Sequence, residues 1–161
     1  MNKDVGRSAE RELVKILRET GFKAVRIPTS NSSPNPLPDV FAVNGELLLA
    51  FEVKSTWENK VKVRSMQVEK LLDFLSMFPM RGEAVVAVKF KTLHQWRFVK
   101  VHSRCDLIVN VEDSRPLHEL LVEQQNSITG IDASLLLTSK ALTEHPSLQP
   151  SEGGLRLHQE A

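Results

Sequence analysis

Three side chains in this sequence combine types and spacing that could do chemistry: Asp39, Glu52 and Lys54. Glu52 lies inside the apolar run LLLAFEV (residues 47–53), Lys54 follows it, and Asp39 comes just before a second apolar run, after Pro38. Charged groups sit inside a sheet only when they are paired or bind a cation. The two runs are separated by Asn44-Gly45, a strong hairpin signal. With those two residues as the turn, Val43 faces Glu46 and Asp39 faces Ala50. Asp39, Ala50, Glu52 and Lys54 then share one face, with Asp39 diagonal to Glu52 at roughly 7–8 Å. Two carboxylates so close in a poor solvent repel unless a divalent ion neutralises them, and hard oxygens suit Mg²⁺. A lysine two positions on could hold a water or stabilise charge developing on a phosphate. The bland alternative is a capping aspartate and a solvated edge pair.

A fourth acid comes from the first helix, expected over Ser8–Thr20, where Ala9, Leu13, Val14, Ile16 and Leu17 form an apolar arc. Glu10 falls inside that arc, Glu12 just beyond its edge, and Arg11, Lys15 and Arg18 outside it. Glu10 therefore needs a partner: the cation site, or an arginine such as Arg7 or Arg26.

The elements that position these groups follow from the pattern of apolar residues and turn formers. Strands are expected at 22–27, 39–43, 46–54, 83–91, 95–101 and 106–111, and helices at 64–78 and 116–125. The face carrying Leu47, Leu49, Phe51 and Val53 must be core. The segment PTSNSSPNPLP (28–38) is expected to be a long loop. The fold class is α/β, a mixed central sheet flanked by helices. Residues 1–126 form the main domain, and 127–161 an extension expected to be loosely held or disordered from about residue 139.

With 161 residues and a net charge of +1, the composition is that of an ordinary globular domain. Its charge is unevenly spread. Residues 54–104 carry 11 basic and 4 acidic side chains, whereas residues 105–161 carry 3 and 9. A basic centre suits a polyanion-binding face. No apolar run reaches membrane-spanning length and the N-terminus lacks a signal-peptide core, so a cytoplasmic location is expected. The single cysteine, Cys105, cannot form an intrachain disulfide and is expected to be a small buried hydrophobe. Aromatic content is 6% with no tyrosine, which disfavours a platform for stacking single strands. In the 64–78 helix, Val68, Leu71, Leu72, Leu75 and Phe78 make one apolar stripe which, widened by Met66, Phe74 and Met77, exceeds what one buried face requires. The surplus is expected to cover a partner.

The helix start GRSAERELV, the RIPTS turn, the PD dipeptide and EVKS together resemble the archaeal-type Holliday-junction resolvases, a branch of the PD-(D/E)xK nuclease superfamily, over about residues 5–112. The resemblance implies a restriction-endonuclease-like fold. It also implies a homodimer that cuts four-way DNA junctions by paired phosphodiester hydrolysis, leaving 5′-phosphates. By the same resemblance Glu10, Asp39 and Glu52 are metal-binding carboxylates for Mg²⁺, with Mn²⁺ able to substitute, and Lys54 is the catalytic lysine. Ser30 acts near the scissile strand, and Gln67 is a further site residue. Phosphate contacts are expected from Arg11, Lys60, Lys62, Arg64, Lys89, Lys91 and Arg97, and the dimer interface from Leu71, Leu72, Phe74, Leu75 and Phe78. The rival readings are a restriction- or repair-type endonuclease acting on linear duplex, and a non-catalytic DNA-binding subunit.

Overall fold

The computed structural model describes residues 3–28 and 34–126. The chain divides into two units, 1–126 and 127–161, and the second lies outside the described residues, as does the expectation made for it. Helix α1 (Lys3–Glu19) begins five residues before the expected start at Ser8, with Asp4 placing negative charge at its N-terminus. It stops at Gly21, whose φ of +92° suits glycine, while the Phe22 amide reaches back to the Leu17 carbonyl at 3.0 Å.

Strands β1 (Lys23–Arg26), β2 (Val40–Asn44) and β3 (Leu47–Thr56) follow, then β4 (Lys60–Val63), helix α2 (Ser65–Ser76), β5 (Arg81–Phe90), a short 3-10 turn (Lys91–Leu93), β6 (Gln95–Val101), β7 (Leu107–Asn110) and β8 (Arg115–Pro116). Residues 117–126 are helical. The main sheet has the order β1-β2-β3-β5-β6-β8 and is mixed, since only β3 and β5 run parallel. A second sheet pairs β4 with β7. No strand is expected at 60–63 from sequence, since KVKV is too short for its alternation to stand out from the polar linker before it.

Leu47, Leu49, Phe51 and Val53 pack beneath α1 and the 117–126 helix, as expected. On the other face Ala50, Val86 and Val88 share a core with Val68, Leu71 and Phe74 of α2 and with Val63 and Val109 of the second sheet. That second sheet explains much of the surplus apolar surface on α2. Leu71 and Phe74, assigned from sequence to a dimer interface, are buried within the protomer. Leu72 and Leu75 are partly buried against the same core, while Met66, Met77 and Phe78 are exposed by 60%, 60% and 36%. Cys105 is exposed, not buried, in the turn between β6 and β7, where its Sγ lies 3.2 Å from Ser103 Oγ. Among the described residues no helix is long and apolar enough to cross a membrane.

Candidate active site

The β2–β3 hairpin is antiparallel, but its register differs from the expected one. Asn44 pairs with Leu47, so the two loop residues are Gly45 and Glu46. Gly45 has φ +58°, the positive value that a II′ turn asks of its first central residue, and Asn44 is left in the strand. The shift is by two positions, so every side chain keeps its expected face. Continuing the observed pairing puts Asp39 opposite Glu52 rather than diagonal to it.

Asp39 stands just outside β2, where the ladder changes. Its amide donates to the Phe51 carbonyl at 2.9 Å, and its own Oδ2 accepts the Val53 amide at 2.8 Å. A side-chain oxygen thus replaces the strand carbonyl that would otherwise satisfy Val53, which turns the carboxylate toward β3. Glu52 points toward α2. Its Oε1 accepts a hydrogen bond from Gln67 Nε2 at 2.8 Å and lies 3.2 Å from Lys54 Nζ. Gln67 is held in turn: its Oε1 accepts the Arg64 amide at 3.1 Å, leaving the Nε2 group aimed at Glu52. The first turn of α2 is fixed further by Asp106, whose Oδ1 accepts the Ser65 amide at 2.8 Å and whose Oδ2 pairs with Lys62 at 2.8 Å.

Burial dominates the electrostatics. It pushes the Glu52 carboxyl up to about 8, with the neighbouring Asp39 charge adding to the shift and Lys54 opposing it. Burial also raises Asp39, against the Val53 amide, Lys54 and Arg26. Two adjacent acids that resist ionisation together, with one lysine between them and solvent, form a site short of positive charge.

Glu10 shows how far the expected cluster is assembled. Burial raises its carboxyl and the Asp39 charge raises it further, so the two acids sense each other. Its Oε2, however, accepts from Arg26 Nε at 2.5 Å, the arginine alternative weighed from sequence. Among the described residues, no three acidic, histidine or cysteine side chains stand close enough to hold one ion. Asp39, Glu52, Lys54 and Gln67 are brought together; Glu10 is beside them, neutralised by Arg26. Ser30 lies outside the described residues.

The expected phosphate contacts divide as well. Arg11, Lys60 and Arg64 are exposed, as is Lys62 beside Asp106. Lys89 instead pairs with Glu12, which also accepts from Trp96 Nε1 at 3.0 Å. Burial raises the Glu12 carboxyl, but these hydrogen bonds outweigh it and the group lies below its ordinary value. Arg97 is bound by Ser114, through Oγ and the backbone carbonyl. Both cations belong to the fold: Lys89 ties β5 to Glu12 of α1, and Arg97 ties β6 to Ser114 just before β8. Arg26 is the reverse case: expected only as a possible partner of Glu10, it is a counter-ion for both Glu10 and Asp39.

A mixed sheet carrying two acids and a lysine at the ends of adjoining strands, with helices on both faces, defines a restriction-endonuclease-like nuclease. The model of the archaeal Holliday junction resolvase (hjc) family matches residues 1–128, and the chain belongs to that family. It is 61% identical over 120 residues to the crossover junction endodeoxyribonuclease Hje of Saccharolobus solfataricus, covering 74% of this chain and 89% of that one. The Hje enzyme of Sulfolobus acidocaldarius is likewise 61% identical, over 114 residues, or 71% of this chain and 82% of its own. Among solved structures, Archaeoglobus fulgidus Hjc, a Holliday junction resolvase, superposes with a TM-score of 0.62 at 30% identity over 72% of this chain and 99% of that one.

Proposed function

We propose that this chain is a crossover junction endodeoxyribonuclease, which acts in the cytoplasm as a homodimer and hydrolyses phosphodiesters in paired strands of four-way DNA junctions with Mg²⁺, or Mn²⁺ in its place. The observation that carries the chemistry is the Asp39–Glu52 pair, two adjacent, half-buried acids whose carboxyls desolvation raises above their ordinary range, the Asp39 charge adding to the shift at Glu52. Family membership carries the substrate.

Hard carboxylate oxygens short of positive charge fit a divalent cation. Asp39 and Glu52 would hold it, and Glu10, now neutralised by Arg26, completes the acidic set. A divalent ion there supplies Lewis acidity, acidifying water and neutralising charge on phosphate oxygens. Lys54, 3.2 Å from Glu52, contributes its ammonium to the negative charge that grows on the phosphate. Gln67 keeps Glu52 oriented toward that position.

Replacing Asp39 by alanine tests this directly. Binding of a labelled four-way junction in a gel-shift assay should persist, because phosphate contacts by exposed cations supply most of the affinity, while Mg²⁺-dependent nicking should vanish. Nicking that continued at the wild-type rate would refute the site. Cutting of linear duplex at a defined sequence, with no preference for junctions, would favour a restriction-type enzyme.

The homodimer rests on the exposed end of α2. Phe78 stacks with Phe41, ring centroids 6.1 Å apart, and beside it Met77 is 60% exposed. Met77→Asp leaves the core untouched and should give a monomer by light scattering. Its junction products should then be single nicks instead of paired ones. A variant that remained dimeric would place the interface elsewhere.

A further inference from the structure

Trp57 is the most exposed large hydrophobic side chain among the described residues, at 70%. It follows β3 directly, three residues after Lys54, which puts it about 10 Å farther along the same strand direction. Its backbone is secured from two sides. Thr92 Oγ1 donates to the Trp57 carbonyl at 2.7 Å, and the next amide, of Glu58, donates to Thr56 Oγ1 at 3.0 Å. The pairing of Thr56 with Phe90 brings the Lys91–Leu93 turn alongside, and Lys91 Nζ sits 5.2 Å from the indole centroid. Leu93, in the same turn, is itself 48% exposed. An aromatic ring fixed at its backbone and carrying a cation near one face is a preformed surface for a flat, electron-rich partner on an anionic polymer.

Resting on the function proposed above, we propose that Trp57 stacks on the open face of a base pair that ends a DNA arm at the branch point. In linear duplex every base face is covered by its neighbours except at the termini. At a four-way junction the arms separate, and the pairs at the crossover offer faces to a side chain without the cost of unstacking a continuous helix. One exposed tryptophan is too few for a single-stranded tract, which needs successive rings, but it is enough for one such face. Lys91, and Lys60 three residues beyond the ring, suit the phosphates that flank it. Trp57 would then be a determinant of junction selectivity, separate from the hydrolytic groups.

The test uses the full chain in metal-free buffer, so that no cleavage intervenes, with 2-aminopurine placed at the branch point of one four-way junction and at mid-arm in another. Wild-type protein should change the branch-point fluorescence at least about twofold and leave the mid-arm probe unaffected. Trp57→Ala should abolish that response and raise the junction Kd about tenfold, within the range for one stacked base, while the Kd for linear duplex shifts less than about twofold. Trp57→Phe, which keeps a ring, should retain most of the response. An unchanged branch-point signal in Trp57→Ala, or equal weakening on junction and duplex, would overturn the inference while leaving the nuclease reading intact. A wild-type protein that failed to prefer the junction would refute the functional reading and this inference with it.

Discussion

Glu52→Gln should abolish cleavage, by about 10³-fold or more, and at the same time make the metal-free protein more stable at pH 8. The two effects share one cause. In the unfolded chain Glu52 titrates near 4.5, whereas burial in the folded protein pushes it up to about 8. As pH rises past 4.5 the unfolded state gives up its proton while the folded state keeps it. Folding stability therefore falls across that window and is lowest above pH 8. The difference is on the order of a few kcal/mol, less than the full shift implies because Asp39 shares the titration. Glutamine keeps the shape and the acceptor for Gln67 but has no proton to lose. Chemical denaturation between pH 4.5 and 8.5 without metal should show wild-type stability declining with pH and the variant's changing much less. Mg²⁺ should restore wild-type stability at pH 8 by binding the folded state, and do little for Glu52→Gln. A wild-type profile that rose with pH over this range would contradict the charge balance assigned to the site.

This conflict between stability and function bears on what could be read from the sequence. The strand at 47–56 was legible because a long apolar run must be core, and two charges at its end had no structural purpose. The helix of Glu10 was legible from its 3.6-residue period. The hairpin register was off by two because Asn-Gly suggests a turn centred on both residues, whereas the fold uses Gly45 first and leaves Asn44 in the strand. The face assignments survived, since a shift of two preserves the alternation.

Other parts depend on contacts between distant segments. Glu12 takes Lys89 and Trp96 from 77 and 84 residues away, and no local pattern announces that. The β4–β7 sheet arises because two short strands pair across 44 residues or more, which also buries the α2 side chains that looked like surplus. Gln67 has an ordinary helical position in the sequence; its use became visible in the family resemblance and then in the bond from Nε2 to Glu52. Arg26 was harder still. Its role follows from serving two acids in different segments, Glu10 of α1 and Asp39 just before β2.

Lys54→Met should lower the cleavage rate by about 10²–10³-fold, the usual cost of removing one preorganised positive or donor group from a phosphate transition state. The pH dependence separates this role from mere packing. Lys54 is a cation that holds Glu52 down against burial and the Asp39 charge, and helps to hold Asp39 down against burial. Without it both carboxyls rise further, so the acid limb of the residual rate profile should move to higher pH, and activity should recover in part between pH 8 and pH 9. Methionine preserves the stem of the side chain and its packing, so junction affinity should change little. Single-turnover cleavage of a labelled junction from pH 6 to pH 9.5, at saturating Mg²⁺ and with wild type alongside, would show both the lower plateau and the displaced limb. A variant with a reduced rate but an unmoved acid limb would mean that Lys54 serves the phosphate alone. An unreduced rate would remove it from the site.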